Sequence, residues 1–279
     1  VVAAIDVTHQ ARRVAERARL LAEVLDAGLT LLHVTETWPE ALVDPDVAGL
    51  LRSHERDLAA ETAEWVRGRT TRPVTMLGRK GNPAWEIVKE GKTADLVVVG
   101  SSSVDSARVG PVTRRVAEMA RNDVVVVKRH PRAEYRRVLI TVDLSPASSW
   151  AVELAHRLAP RAEKTLLFVL PTRSDLMMAS AGMFPEEIEL DRKRRIAAAK
   201  QRLEEFAPGV DARRIVGDGP VLEVVAETVR KRSTDLVVAA SRGAGATRMV
   251  LLGSVAEGLL EAVPSDVALA RVSASFRRP

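Results

Sequence analysis

Asp235-Leu-Val-Val-Ala-Ala-Ser-Arg-Gly-Ala-Gly-Ala-Thr-Arg-Met-Val-Leu-Leu-Gly-Ser254 decides how this chain is read. The stretch begins as an apolar run with the look of a buried strand. It passes through a small, Gly-rich, basic loop and closes on Gly253-Ser254, where a helical pattern starts. Backbone N–H groups of a first helical turn lack intrahelical partners, and the helix dipole adds partial positive charge there. A strand, a flexible loop and a helix N-terminus therefore make an anion seat. Gly243, Gly245 and Gly253 let a ligand approach the backbone. Arg242 and Arg248 offer guanidinium forks for phosphate. No Gly-Lys-Ser/Thr follows, so this is not a Walker A loop. Arg248 stands where a dinucleotide fingerprint needs its third Gly, and the loop follows a late strand.

Outward from this stretch the chain reads as a doubled unit. Val1–Ile5 is a first strand ending at Asp6, and Thr8 can cap the helix expected over Ala11–Leu25. Leu29–Val34 is a second strand. A Pro-containing loop and a long amphipathic helix to about Val66 follow. Val74–Leu77 is a third strand, Pro83 opens a helix, and Asp95–Gly100 is a fourth strand. Pro111–Ala120 is helix and Asp123–Lys128 a fifth strand. After a basic connector the programme restarts. Val138–Asp143 mirrors Val1–Asp6, Thr165–Val169 mirrors the second strand, and Asp266–Ala270 mirrors Asp123–Val127. Asp143 minus Asp6 is 137, Asp235 minus Asp95 is 140, and Gly253 minus Gly110 is 143. A repeat of this length is a whole domain, not a solenoid. The expected fold class is α/β: two tandem doubly wound domains, each a five-stranded, mostly parallel sheet flanked by helices. The expected boundaries are 1–130, a linker at 131–137, and 138–279. The valine-rich fifth strands are expected to pair the domains as a pseudo-dimer, and the whole chain to be able to dimerise again.

Composition narrows the function classes. Of the 279 residues 46% are hydrophobic and 3% aromatic, so the core is aliphatic and base-stacking platforms lack support. The net charge of +5 is spread among interleaved acids, so no nucleic-acid stripe is read. Cysteine is absent, which excludes disulfides and thiol catalysis and fits a reducing, cytoplasmic setting. No apolar run has the length of a membrane span. No signal peptide is seen, although Val1 already lies inside a strand pattern and carries no initiator Met.

Asp-Leu-Val-Val-Ala-Ala-Ser-Arg-Gly243, nine further residues, then Gly253-Ser-Val-Ala resembles the universal stress protein signature. That signature is Gly, two residues, Gly, nine residues, Gly, then Ser or Thr. Val138-Leu-Ile-Thr-Val-Asp143 also resembles the family's first strand and its Asp. The resemblance covers essentially the whole chain as two such domains, and implies the adenine nucleotide alpha hydrolase-like fold. It further implies that ATP or a related adenine nucleotide, with or without Mg²⁺, is the ligand. The first signature Gly falls on Ala240, the second on Gly243, the third on Gly253 and the hydroxyl on Ser254. Asp143 would lie beside the adenosine and Val169 would touch adenine. Thr141, Val142, Arg242 and Val255 complete the implied nucleotide set, and no metal ligands are implied. The first domain departs further. Gly100 to Gly110 spans 10 residues where Ala240 to Gly253 spans 13, and the hydroxyl position is Pro111. The second domain is thus the nucleotide candidate and the first a degenerate partner.

Plainer uses compete for these residues. Ser254-Val-Ala-Glu257 fits a capping box. Asp143 can serve a turn at a strand end, as Asp6 can. The five histidines show no metal spacing and read as structural or surface groups. Leu176–Ala179 with Gly182–Phe184 is an apolar patch suited to a lid, a partner surface, or an ordinary packed or mobile insertion. No catalytic set emerges, so the chain is at most a slow ATPase. A nucleotide-free interaction scaffold is the alternative, and an adenylating enzyme a third.

Overall fold

A computed structural model describes residues 1–8, 10–36, 44–101, 109–170, 177–178, 180–241 and 252–271. Two compact units emerge. The first holds β1 (Val2–Ala4), α1 (Ala11–Val24), β2 (Leu29–Thr35), α2 (Pro45–Arg67) and β3 (Val74–Lys80). It continues through α3 (Pro83–Gly91), β4 (Leu96–Gly100), α4 (Pro111–Met119) and β5 (Asp123–Val127). The second holds β6 (Arg137–Val142), α5 (Pro146–Leu158), β7 (Glu163–Leu170), α6 (Pro185–Phe206) and β8 (Arg213–Asp218). It continues through α7 (Val221–Arg232), β9 (Leu236–Ala240) and α8 (Ser254–Ala262). The last strand, β10 (Asp266–Ala270), clusters with the first unit.

Helix starts follow local chemistry. Helices α2 to α6 all begin on Pro, whose missing N–H is not needed in a first turn. Asn82 Oδ1 accepts from Trp85 N at 3.2 Å, capping α3. Asp44 Oδ1 does the same for α2, accepting from Asp46 N at 2.9 Å.

In the first unit the strand order is β3-β2-β1-β4-β5-β10. Strands β1 to β5 pair in parallel, while β10 runs antiparallel to β5 with Val267 opposite Val126 and Leu269 opposite Val124. The second unit has the parallel order β9-β6-β7-β8. Strands β5 and β10 are buried along their whole length, as strands covered on both faces must be: Val124 to Val127 are all 0% exposed. The core is aliphatic, as the composition requires. Strand β3 runs to Lys80, three residues past the expected end, because its Lys80 pairs with Thr35 of the long β2.

Asp123, Asp235 and Asp266, which stand at strand starts, are backbone clamps. Asp235 Oδ2 accepts from Arg136 N and Arg137 N, both at 3.0 Å, and so fixes the start of β6. In each unit the chain leaves the first strand to one side and returns on the other. The crevice for a ligand therefore opens at the C-terminal ends of β1 and β4, and of β6 and β9.

Candidate functional site

In the second unit the described members of the predicted set stand at or near strand C-terminal ends and at the start of α8. Thr141 and Val142 end β6 and Asp143 follows it, Val169 lies near the end of β7, and Ala240 ends β9. Val142 is buried, Thr141, Val169 and Ala240 half-buried, and Asp143 exposed. Ser241 O accepts from Gly253 N at 2.9 Å, so the connection departs and returns at one point. Helix α8 starts there, with Ser254 and Val255 exposed. Arg242, Gly243, Gly245 and Arg248 lie outside the described residues.

The competing uses resolve differently at two positions. Gly253, not Ser254, is the N-cap of α8, and it makes no side-chain cap bond. The Ser254–Glu257 capping box is therefore not the arrangement adopted. The Ser241–Gly253 bond sets the helix start one residue early and leaves the Ser254 hydroxyl on the first turn. Asp143 does organise a turn. Its Oδ1 accepts from Ser145 N at 3.0 Å and from Ser148 Oγ at 2.6 Å, and the Ser145 hydroxyl also donates to it. Asp6 repeats this in the first unit, with Oδ1 accepting from Thr8 N at 3.0 Å and Thr8 Oγ1 at 2.8 Å.

The first unit preserves the same frame around a shorter connection. Gly110 N donates to Ser101 O at 2.6 Å, and Gly110 is the N-cap of α4. Ser101 to Gly110 is 9 positions; Ser241 to Gly253 is 12. Pro111 stands where α8 has Ser254, and it brings neither hydroxyl nor N–H.

The crevice of this first unit encloses a cavity of about 470 Å³. Apolar groups such as Ile5, Val14, Leu32, Ile87 and Val99 form much of its wall. Three buried polar side chains that sequence reasoning did not single out as site residues, Gln10, Arg13 and His33, also line it. Arg13 Nη1 donates to Lys128 O at 3.1 Å, and Nη2 lies 3.5 Å from Ser101 Oγ. Burial pushes the Arg13 guanidinium below its ordinary pKa, while Asp266 and Asp6 pull it back. His33 Nδ1 lies 3.3 Å from Ile5 O, and Nε2 lies 3.5 Å from Glu55 Oε2 of α2. A usable signal for Arg13 was present. It neighbours Val14 on the apolar stripe of α1, and its repeat equivalent, 137 positions on, is Trp150.

Elsewhere, Met177 and Phe184 of the apolar patch are exposed, while Leu176 and Ala179 lie outside the described residues. Among the described residues no group of three His, Asp or Glu is placed to hold a metal ion, and no helix is long and apolar enough to cross a membrane.

Comparisons with known proteins agree on one family. The sequence profile of the universal stress protein family matches residues 1–128 and again 134–271. Universal stress protein Rv2005c of Mycobacterium tuberculosis (strain ATCC 25618 / H37Rv) is 27% identical over 277 residues, covering 90% of this chain and 90% of that protein. Universal stress protein Rv2623 of the same strain is 28% identical over 269 residues, covering 90% and 89%. A universal stress protein from Archaeoglobus fulgidus DSM 4304 shares the fold, with a TM-score of 0.69 at 16% identity over 97% of this chain and 98% of that one. So does a functionally unknown protein from Pseudomonas aeruginosa PAO1, with a TM-score of 0.64 at 16% identity over 97% and 92%. With the profile matching twice along its length, this chain belongs to the universal stress protein family.

Proposed function

We propose that the second unit binds ATP or a related adenine nucleotide, and that the chain works as a stress-response binding and signalling module. The observation that carries this reading is the bond between Gly253 N and Ser241 O, which sets an uncapped α8 N-terminus beside the ends of β6 and β9. Unpartnered N–H groups and the helix dipole favour phosphate there. Ser254 contributes a hydroxyl on the first turn, and Gly243 and Arg242 complete the seat from the connecting segment. Asp143 stands beside the ribose, held by its turn. Val169 packs on the base, while Thr141, Val142, Ala240 and Val255 line the approach. Mg²⁺ accompanies the polyphosphate through the nucleotide's own oxygens. The chain acts through binding, and any turnover is slow. It works in the cytoplasm, with homodimers as a further level of assembly.

Thermal unfolding with and without Mg·ATP tests the reading. Ligand at 100 times its Kd adds about 2.7 kcal/mol to stability. Ser254→Glu places a carboxylate on the first helical turn, where it stabilises the helix by roughly 0.3–1 kcal/mol while repelling phosphate. The expected result is an unchanged or slightly raised melting temperature without ATP and a lost ATP shift. A wild-type chain whose melting curve ignores millimolar Mg·ATP supports the nucleotide-free scaffold instead.

A further inference from the structure

We propose that the cavity of the first unit binds a zwitterionic aliphatic molecule whose carboxylate and ammonium stand about 10 Å apart, two strand spacings. The cavity has two electrical poles. On the side of β4 and β5, the Arg13 guanidinium is held by Lys128 O and faces Ser101 Oγ. Arg13 is 7% exposed, lines the cavity, and its Nε has no hydrogen-bond partner among the described residues. The N-terminus of α4, residues Gly110 to Thr113, lines the same side, and its cap position makes no side-chain bond. A buried guanidinium beside a helix N-terminus favours a carboxylate.

The opposite pole is acidic. Glu36 follows β2 and Glu55 of α2 faces His33, while Asp6, which follows β1 between the poles, also acts on Arg13. The imidazole has an acceptor near each nitrogen, Ile5 O at 3.3 Å and Glu55 Oε2 at 3.5 Å. It sits between the end of β1 and Glu55 and does not replace the acids. Three carboxylates against one guanidinium, with Pro111 offering no N–H, oppose a polyphosphate. The strand order β2-β1-β4-β5 keeps the poles apart, and the aliphatic wall between them suits a methylene chain. The volume of about 470 Å³ lies within the range of small-molecule sites.

Titration calorimetry on the full chain tests this with three probes of one chain length: 8-aminooctanoate, octanoate and octylammonium. Each terminal charge is expected to add on the order of tenfold in affinity, the worth of one charge-assisted hydrogen bond. 8-Aminooctanoate then binds at least about tenfold more tightly than either single-charge probe. Glu55→Gln erases its advantage over octanoate and leaves octanoate binding unchanged. Arg13→Gln erases its advantage over octylammonium; if that variant does not fold, Glu55→Gln decides. Equal affinity for all three probes, stronger binding of either single-charge probe, or no binding at millimolar concentration overturns the proposal. So does indifference to Glu55→Gln. The probes carry neither base nor phosphate, so either outcome leaves the nucleotide reading of the second unit standing.

Discussion

Arg17 Nε lies 3.2 Å from Asp266 Oδ2 although the two residues are 249 positions apart in sequence. Their side chains are 6% and 1% exposed. Asp266 Oδ1 also accepts from Lys128 N at 2.8 Å and Arg129 N at 3.0 Å. Asp123 answers from the partner strand, its Oδ1 accepting from Arg271 N at 2.8 Å. In this antiparallel pair, the aspartate that opens each strand ties down the chain just past the end of the other.

Removing one side of that arrangement leaves a buried cation and orphaned N–H groups. Asp266→Ala is therefore expected to lower unfolding stability by about 3–5 kcal/mol, the usual cost of breaking a buried pair. Urea denaturation of the full chain measures it. A loss below about 1 kcal/mol, typical of an exposed pair, contradicts the claim.

Gly91 ends α3, and a Cβ there meets Val97 Cγ2 at 2.7 Å. Val97 is 1% exposed and β-branched, so it has no easy retreat. Gly91→Ala gains up to ~1 kcal/mol of helix propensity. Overpacking costs ~1–3 kcal/mol, so the net change should be destabilising. Gly78→Ala, where a Cβ meets nothing within 4 Å, is the matched control and should be nearly neutral. Equal melting temperatures for the two variants refute the packing argument.

Asp143 is asked to do two things, and one substitution separates them. Asp143→Ala removes the acceptor shared by Ser145 N and Ser148 Oγ. Lost stability of about 1–2 kcal/mol is expected from the turn alone. If the Mg·ATP shift weakens as well, the carboxylate region belongs to the nucleotide site. If affinity stays whole, Asp143 serves the turn only.

Lys164 Nζ donates to Pro160 O at 3.1 Å and Ala162 O at 3.0 Å. Burial holds its ammonium below the ordinary lysine pKa, against the opposing pull of Asp211. The folded chain thus releases this proton before the unfolded chain does. The penalty is full below the folded value and fades as pH rises toward the unfolded value of ~10.4. The stability of the wild type minus that of Lys164→Met should therefore climb through that alkaline window. A flat or falling difference, from denaturation at stepped pH, rules this out.

Much of the fold was legible because burial writes itself into strand composition. Val124–Val127 and Leu236–Ala240 read as strands since both faces are covered, and Pro83 and Pro111 announce helix starts that fall where expected. The candidate site was legible in part. Gly253 and Ser254 do stand at a helix N-terminus, and Asp143 at a strand end. The capping-box pattern misled because the Ser241–Gly253 bond is a contact across the connection, and spacing along the chain does not encode it. His33 was read as structural or surface, and Glu55 was not singled out. Only the packing of α2 on β2 brings the carboxylate to the imidazole.

Repetition of 137 to 143 residues, period and apolar runs settled by themselves that this is a doubled α/β chain whose two halves differ in the loop before the last helix, shorter and closed by Pro111 in the first. Those features are local, and the backbone must satisfy its hydrogen bonds within a few residues or along one strand. Tertiary structure alone decided that Arg17 meets Asp266, and that Arg13, His33 and Glu55 surround one cavity. A charge can be buried only where distant segments bring it partners, and which segments meet is settled when the sheet assembles.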